Sequence, residues 1–207
     1  MNQESVVAKM LEASEKYLHI KLDMNDVSSL LSISKIQMYL KGQTIIGINE
    51  KLTHMGFVLN GIVRSYYLDM DGNEITKNFH KESYLLMDEG LIGYDRSICP
   101  YETLEGSAII LFDVVKLRSM IQNSEKLKDM YIAALESGIK YKLHRENEFL
   151  MNNATKRYLQ FEKDYPELVD RVKQAHISTY LGITPESLSR IKKALNKTSD
   201  MNGGKYE

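Results

Sequence analysis

The chain has 207 residues, 43% hydrophobic and 27% charged; this fits a folded protein of one large or two small domains and excludes disorder throughout. Its 27 Lys and Arg offset 28 Asp and Glu for a net charge of -1, which excludes a globally basic nucleic-acid coat and an acidic tail protein. The single cysteine, Cys99, excludes an internal disulfide, an all-cysteine zinc site and a cysteine-ligated cluster within one chain.

Residues 1 to about 34 carry a helical pattern, with Val6, Val7, Met10, Leu11 and Ala13 and then Val27, Leu30, Leu31 and Ile33 at helical spacing. Asn25 or Asp26 is the expected cap of the second piece. From Ser34 to Val115 short apolar stretches alternate with turn signals at Lys41-Gly42, Asn60-Gly61 and Asp71-Gly72. Asn-Gly and Asp-Gly favour tight hairpins because both central residues of that turn need positive φ, so the spacing predicts a compact sandwich or jelly roll.

From Lys116 to about Met151 the pattern is helical again, and Ser124 to Met151 is long for a globular helix. Leu127, Met130, Tyr131, Ala134, Leu135, Gly138, Ile139 and Leu143 form one stripe. Such a helix packs on its own domain or pairs with a second copy, and periodicity alone does not choose. The remainder reads as short helices, one over Thr155–Asp164 stopped near Tyr165-Pro166, with a frayed tail from Thr198. No segment approaches the apolar length that spans a bilayer; Ala108 to Phe112 is strand-sized. The first residues lack the basic, then apolar, order of a secretory signal, so a cytoplasmic protein with no membrane partner is expected.

The most informative stretch runs from Gln174 to Leu195. Ile177, Leu181, Ile183, Leu188 and Ile191 have the spacing of the inner face of a helix-turn-helix. Ser178 is small where the helices approach, and Gly182 sits at the turn. Thr184 caps the second helix, Pro185 suits its first turn, and Glu186 favours its positive end. That helix is expected to present Glu186, Ser187, Ser189, Arg190 and Lys193 outward, residue types that read base edges or hold phosphates. Lys173 and Gln174, at the start of the first helix, complete the candidate DNA-binding set. The plain alternative is a helical hairpin with a solvated charged face. Charge partition favours DNA: from residue 152 onward ten Lys and Arg face seven Asp and Glu, whereas residues 1–151 hold 17 against 21.

A β-roll, a long helix and a C-terminal helix-turn-helix, in this order, resemble the Crp/Fnr family of bacterial transcription regulators from about residue 20 to 196. The stretch Ile177–Ile191 is the most specific part, and Phe57–Tyr67 followed by Asp71-Gly72 looks like the family's β-roll hairpin. The resemblance implies an α+β chain. Its parts would be a cyclic-nucleotide-binding-like β-roll sensor with N-terminal helices (1–115), a long dimerisation helix (116–151) and a winged-helix-like helix-turn-helix domain (152–207). It implies a homodimer through 124–151 on palindromic double-stranded DNA, with RNA polymerase as a further partner. Glu186 and Arg190 match base-contacting positions, and Thr184 and Lys193 match backbone-contacting ones. Pro185 stands where the family often has a base-contacting Arg.

The effector pocket departs from the family's pattern. Cyclic-nucleotide binders carry a Glu for the ribose hydroxyl, here matched by Asp88 or Glu89 beside Met87. About ten residues later they carry Arg followed by Ser or Thr for the cyclic phosphate, and here Pro100-Tyr101 stands in that place. Arg96-Ser97 is such a pair about four residues too early. A buried phosphate without a cation is costly, so no cyclic AMP and no other cofactor is expected. The effector is unknown.

Cys99 reads as an inert, partly buried thiol, with a redox switch as the alternative. Haem sensing needs an axial histidine, for which His54 or His80 is the candidate, although a lone strand histidine is usually a surface or structural residue; His19, His144 and His176 have no metal-ligand spacing. Two other functions compete: a cupin-like jelly-roll metal enzyme, which lacks its His-x-His pair here, and a sensor module that does not bind DNA. No nucleophile elbow, phosphate-binding glycine loop or zinc-protease pattern points to catalysis.

Overall fold

A computed structural model of the chain describes residues 3–203, with side chains from residue 3 to 196. Helices α1 (Gln3–Leu18) and α2 (Met24–Ser32) open it. Strands β1 (Ser34–Tyr39), β2 (Thr44–Ile46), β3 (His54–Asn60), β4 (Val63–Leu68), β5 (Glu74–His80) and β6 (Leu85–Leu86) follow. After a 3-10 turn at Asp88–Gly90 come β7 (Tyr101–Thr103) and β8 (Ser107–Asp113). The rest is helical: α3 (Val114–Asn123), α4 (Glu125–Met151), α5 (Ala154–Asp164), α6 (Leu168–Arg171), α7 (Gln174–Tyr180) and α8 (Pro185–Gly203).

The strands form two four-stranded sheets, ordered β1-β8-β3-β6 and β2-β7-β4-β5. In the first, the central strands β3 and β8 are buried on both faces. Phe57, Leu59, Ile110 and Phe112 face Val6, Met10, Val27, Leu30 and Leu117 of α1, α2 and α3. Val58, Ile109 and Leu111 share the second core with Val63 and Tyr101 of the other sheet and with Leu86, Met87 and Cys99. A strand covered on both sides has no polar face to alternate with, so Ala108–Phe112 is a continuous apolar run.

Three local expectations are corrected. The cap of α2 is Asp23, whose carboxylate accepts from the Asn25 and Asp26 amides at 2.9 and 3.0 Å, while Asp26 closes the box on the Asp23 amide at 2.8 Å. Asn60-Gly61 is no hairpin: β3 and β4 belong to different sheets, and Gly61, at φ +98, turns the chain from one to the other. Asp71-Gly72 does join neighbouring strands, β4 and β5, but through Asp69–Asn73 rather than two residues. Asp69 organises that loop, its Oδ1 accepting from the Asp71 and Asn73 amides.

By contacts the chain divides into two compact units, Met1–Tyr66 with Asn78–Lys142, and Tyr67–Lys77 with Leu143–Glu207. In the first, Leu127 and Met130 of α4 join the helix-side core, and Lys126 bonds Asp23 and Asp26 at 3.2 and 2.5 Å. Ser124 separates α3 from α4. The second unit is built on aromatic rings. Phe161 lies 5.4 Å from Tyr165 and 5.5 Å from Tyr180, with Tyr158, Leu168, Ile177 and Leu188 buried around them. Its helix-turn-helix is present as expected; no strand that would make a wing follows Asp113 among the described residues. The tail expected to fray from Thr198 continues as α8 to Gly203, and residues 204–207 lie outside the described residues.

Candidate nucleic-acid interface

Helix α7 ends at Tyr180 with Leu181 as its C-cap, and Gly182 turns the chain at φ +67, where an L side chain is strained. Ile177, Leu181 and Leu188 are buried and Ile183 and Ile191 half-buried, the inner face read from their spacing. Ser178 is fully buried, its hydroxyl donating to Ala175 O at 2.8 Å, so nothing larger separates the helices. Thr184 caps α8, its Oγ1 accepting from the Ser187 amide at 3.2 Å.

The face this leaves is polar. Lys173, Gln174, Thr184, Glu186, Arg190 and Lys193 are exposed. Ser187 and Ser189, expected outward, are only half-exposed. Ser187 is held locally: its hydroxyl accepts from Thr184 Oγ1 at 3.2 Å and from Arg190 Nη2 at 3.3 Å. The Glu186 carboxyl is held below its ordinary range by its own backbone amide first, then by Thr184, with Arg190 adding charge attraction. At neutral pH it is a carboxylate, an acceptor only. One exposed helix start therefore carries an anionic acceptor and, one turn on, a guanidinium, the pair of groups that distinguishes cytosine and guanine edges.

Three residues not singled out for this site converge behind it. Arg145 Nη2 donates to Tyr180 O at 2.6 Å, and Arg157 Nε donates to Leu181 O at 3.1 Å. Both guanidinium carbons lie 5.0 Å from the Phe149 ring centroid. A charged residue off an apolar stripe reads as solvated in a sequence, so only the fold reveals these contacts.

The second candidate site is the expected effector pocket. Met87, in the left-handed region at φ 59, starts the turn that carries Glu89 inward and leaves Asp88 exposed. Glu89 is 5% and Tyr101 0% exposed, and the phenol oxygen lies 2.8 Å from both carboxylate oxygens. Burial first, and then the Glu89 charge, push the Tyr101 phenol well above its ordinary value, so it keeps its proton and donates. Cys99 Sγ is 4.0 Å from Glu89 Oε1, in the same interior. Pro100 is buried, and its carbonyl accepts from the Tyr66 amide at 3.3 Å. Arg96 is exposed and donates to Asn49 O at 2.7 Å, so its guanidinium is engaged with a surface carbonyl. Met87, Glu89, Cys99, Pro100 and Tyr101 are thus brought inside, while Asp88 and Arg96 stay on the surface.

The strand histidines are held by structural partners. His80 is buried, with Nδ1 2.8 Å from Leu85 O and Nε2 3.0 Å from Ser65 Oγ. His54 lies 2.8 Å from Thr53 Oγ1, and partial burial lowers its pKa. Among the described residues no group of three or more His, Cys, Asp or Glu is placed to hold a metal ion. Nor is any described helix long and apolar enough to cross a membrane.

No family model and no curated protein matches the sequence. Solved structures do match. FixK2 from Bradyrhizobium japonicum is similar at a TM-score of 0.71 and 18% identity, over 81% of this chain and 86% of that one. CLP, the c-di-GMP responsive global regulator of Xanthomonas campestris, is similar at 0.66 and 14%, over 86% and 93%. A CRP-family transcriptional regulator from Thermus thermophilus is similar at 0.64 and 16%, over 79% and 85%. At such identities what is shared is the architecture: the chain has the fold of Crp/Fnr-type regulators.

Proposed function

We propose that the chain is a sequence-specific, double-stranded-DNA-binding transcription regulator of the Crp/Fnr type. The observation that carries this is the exposed start of α8, where Thr184 caps the helix and Glu186, Arg190 and Lys193 stand free of the core. In this reading Glu186 and Arg190 read bases, and Thr184, Ser187, Ser189, Lys193, Lys173 and Gln174 hold the backbone. Residues 1–115 form the sensor part, 116–151 the dimer helix and 152–207 the reader, acting in the cytoplasm with RNA polymerase as a further partner.

A homodimer is supported by α4. Ile132, Ile139, Leu143 and Leu150 are 52%, 58%, 60% and 75% exposed, and their steps of seven, four and seven residues are those of a coiled-coil seam. A second copy of the same seam would cover it and place two α8 helices on a palindromic site.

The sensor part is read as unresponsive to cyclic AMP. The Glu89 carboxylate that would hold a ribose hydroxyl is bonded by Tyr101, and no arginine stands at Pro100-Tyr101.

Arg190→Ala tests the assignment. It should abolish selective binding to a duplex enriched by the wild-type protein, in a mobility-shift assay against a scrambled duplex, while sedimentation shows the dimer intact. Unchanged selectivity would remove Arg190 from the reading surface.

A further inference from the structure

Beside the packing of Leu188 and Ile191, the direction of α8 depends on the short turn at Gly182 that joins it to α7, and that turn is gripped from behind. The last carbonyls of a helix have no intrahelical donors and carry partial negative charge. At the end of α7 the carbonyls of its last residue and of its C-cap are taken by arginines from other helices: Tyr180 O by Arg145 of α4, and Leu181 O by Arg157 of α5. Arg157 also donates through Nη1 to Asn152 O at 2.7 Å, tying in the joint between α4 and α5. The Arg145 guanidinium carbon stacks 3.6 Å from the Tyr180 ring centroid. Phe149 lies against the turn itself, since a Cβ added at Gly182 would come within 2.8 Å of its Cε1. Both arginines are half-buried; Nη2 of Arg145 and Nε and Nη1 of Arg157 donate to protein carbonyls, and both guanidinium carbons lie over the Phe149 ring.

We propose that Arg145, Phe149 and Arg157 are positioning residues for DNA recognition: a clamp that locks the helix-turn-helix turn to the last turns of α4 and sets the direction in which α8 is presented. The proposal rests on the DNA-reading function above. It gives five basic residues of the second unit two different jobs. Arg190, Lys193 and Lys173 meet the nucleic acid, whereas Arg145 and Arg157 act only through the angle of α8. A lysine does not replace either arginine, because an ammonium cannot both bond a carbonyl in a fixed fork and stack on a ring.

The test uses full-length wild type, Arg145→Ala, Arg157→Ala, Arg145→Lys and Arg157→Lys. Each is titrated by fluorescence anisotropy with the duplex that the wild type enriches from a randomised pool, over a series of salt concentrations, and each is put through its own selection. Sedimentation and circular dichroism monitor the dimer and the fold. The expected result is an affinity loss of about tenfold or more in all four variants, a broadened half-site spacing on reselection, and an unchanged slope of log affinity against log salt. Where an alanine variant unfolds, the lysine variant of the same position decides. Wild-type affinity and spacing in the folded variants would overturn the clamp. So would a slope reduced by about 0.9 per arginine, which would make these side chains phosphate contacts. Failure of the wild type to enrich any duplex would overturn the DNA-reading function itself, a result distinct from both.

Discussion

Tyr101 shows how one residue changes the meaning of a pocket. Its hydroxyl is a donor to the buried Glu89 carboxylate, supplied from within the chain. Tyr101→Phe keeps the ring and removes that donor, and should cost about 1–3 kcal/mol in urea unfolding at neutral pH. A cost near zero would mean that the phenol does not hold the carboxylate. Gly61 is the second residue on which the architecture turns. At φ +98, with Gly106 O 2.9 Å from where a Cβ would sit and Ser107 Oγ closer still, Gly61→Ala should destabilise by at least about 2 kcal/mol in the same measurement. An unchanged stability would mean that the turn accepts a side chain. Neither role was legible beforehand. The sequence showed a tyrosine where a cation was expected, but not that its phenol turns inward onto Glu89. It showed a glycine in a turn, but not that the turn changes sheets. The residues of the helix-turn-helix were legible, because Gly182, Thr184 and five apolar positions satisfy steric and capping needs that act within some twenty residues.

Among elements, α2 and α4 are joined by charge. Asp23 accepts two amides and the Lys126 ammonium, and these bonds, the Asp26 amide first, hold its carboxyl below the ordinary range. A carboxyl whose pKa is lower folded than unfolded adds stability that is present above its unfolded pKa and lost as pH falls through its folded pKa. The stability difference between wild type and Asp23→Asn, read from urea titrations, should therefore be present at neutral pH and vanish in strong acid. A pH-independent difference would contradict the origin given to it. Helix α4 was half legible. Its stripe was plain in the sequence, but periodicity could not say which part is covered. Leu127 is buried and Met130 packs on the core, while Ile139 and Leu143 are exposed. The double variant Ile139→Glu, Leu143→Glu should therefore leave the fold intact and convert a dimer to a monomer in sedimentation velocity; an unaffected dimer would place its interface elsewhere.

For the whole molecule, the near-zero net charge conceals a division, since the basic surplus begins at residue 152, with the helices that carry the exposed face of α8. The order of β-roll, long helix and helix-turn-helix was legible because texture changes sharply along the chain, from turn-punctuated short strands to uninterrupted helical spacing. The pairing of strands across two sheets was not, since a jelly roll joins segments distant in sequence, as β1 joins β8 from Ser34↔Phe112 to Tyr39↔Ser107. A chain of this architecture that reads DNA as a symmetric pair must leave a symmetric imprint on the sequences it retains. The decisive experiment lets the full-length protein select from a randomised pool of duplexes and sequences what stays bound. The expected outcome is an enriched motif of two inverted half-sites, lost in Arg190→Ala. Recovery of no motif, or of the same motif with Arg190→Ala as with the wild type, would refute the reading of α8 as the recognition helix of a symmetric dimer.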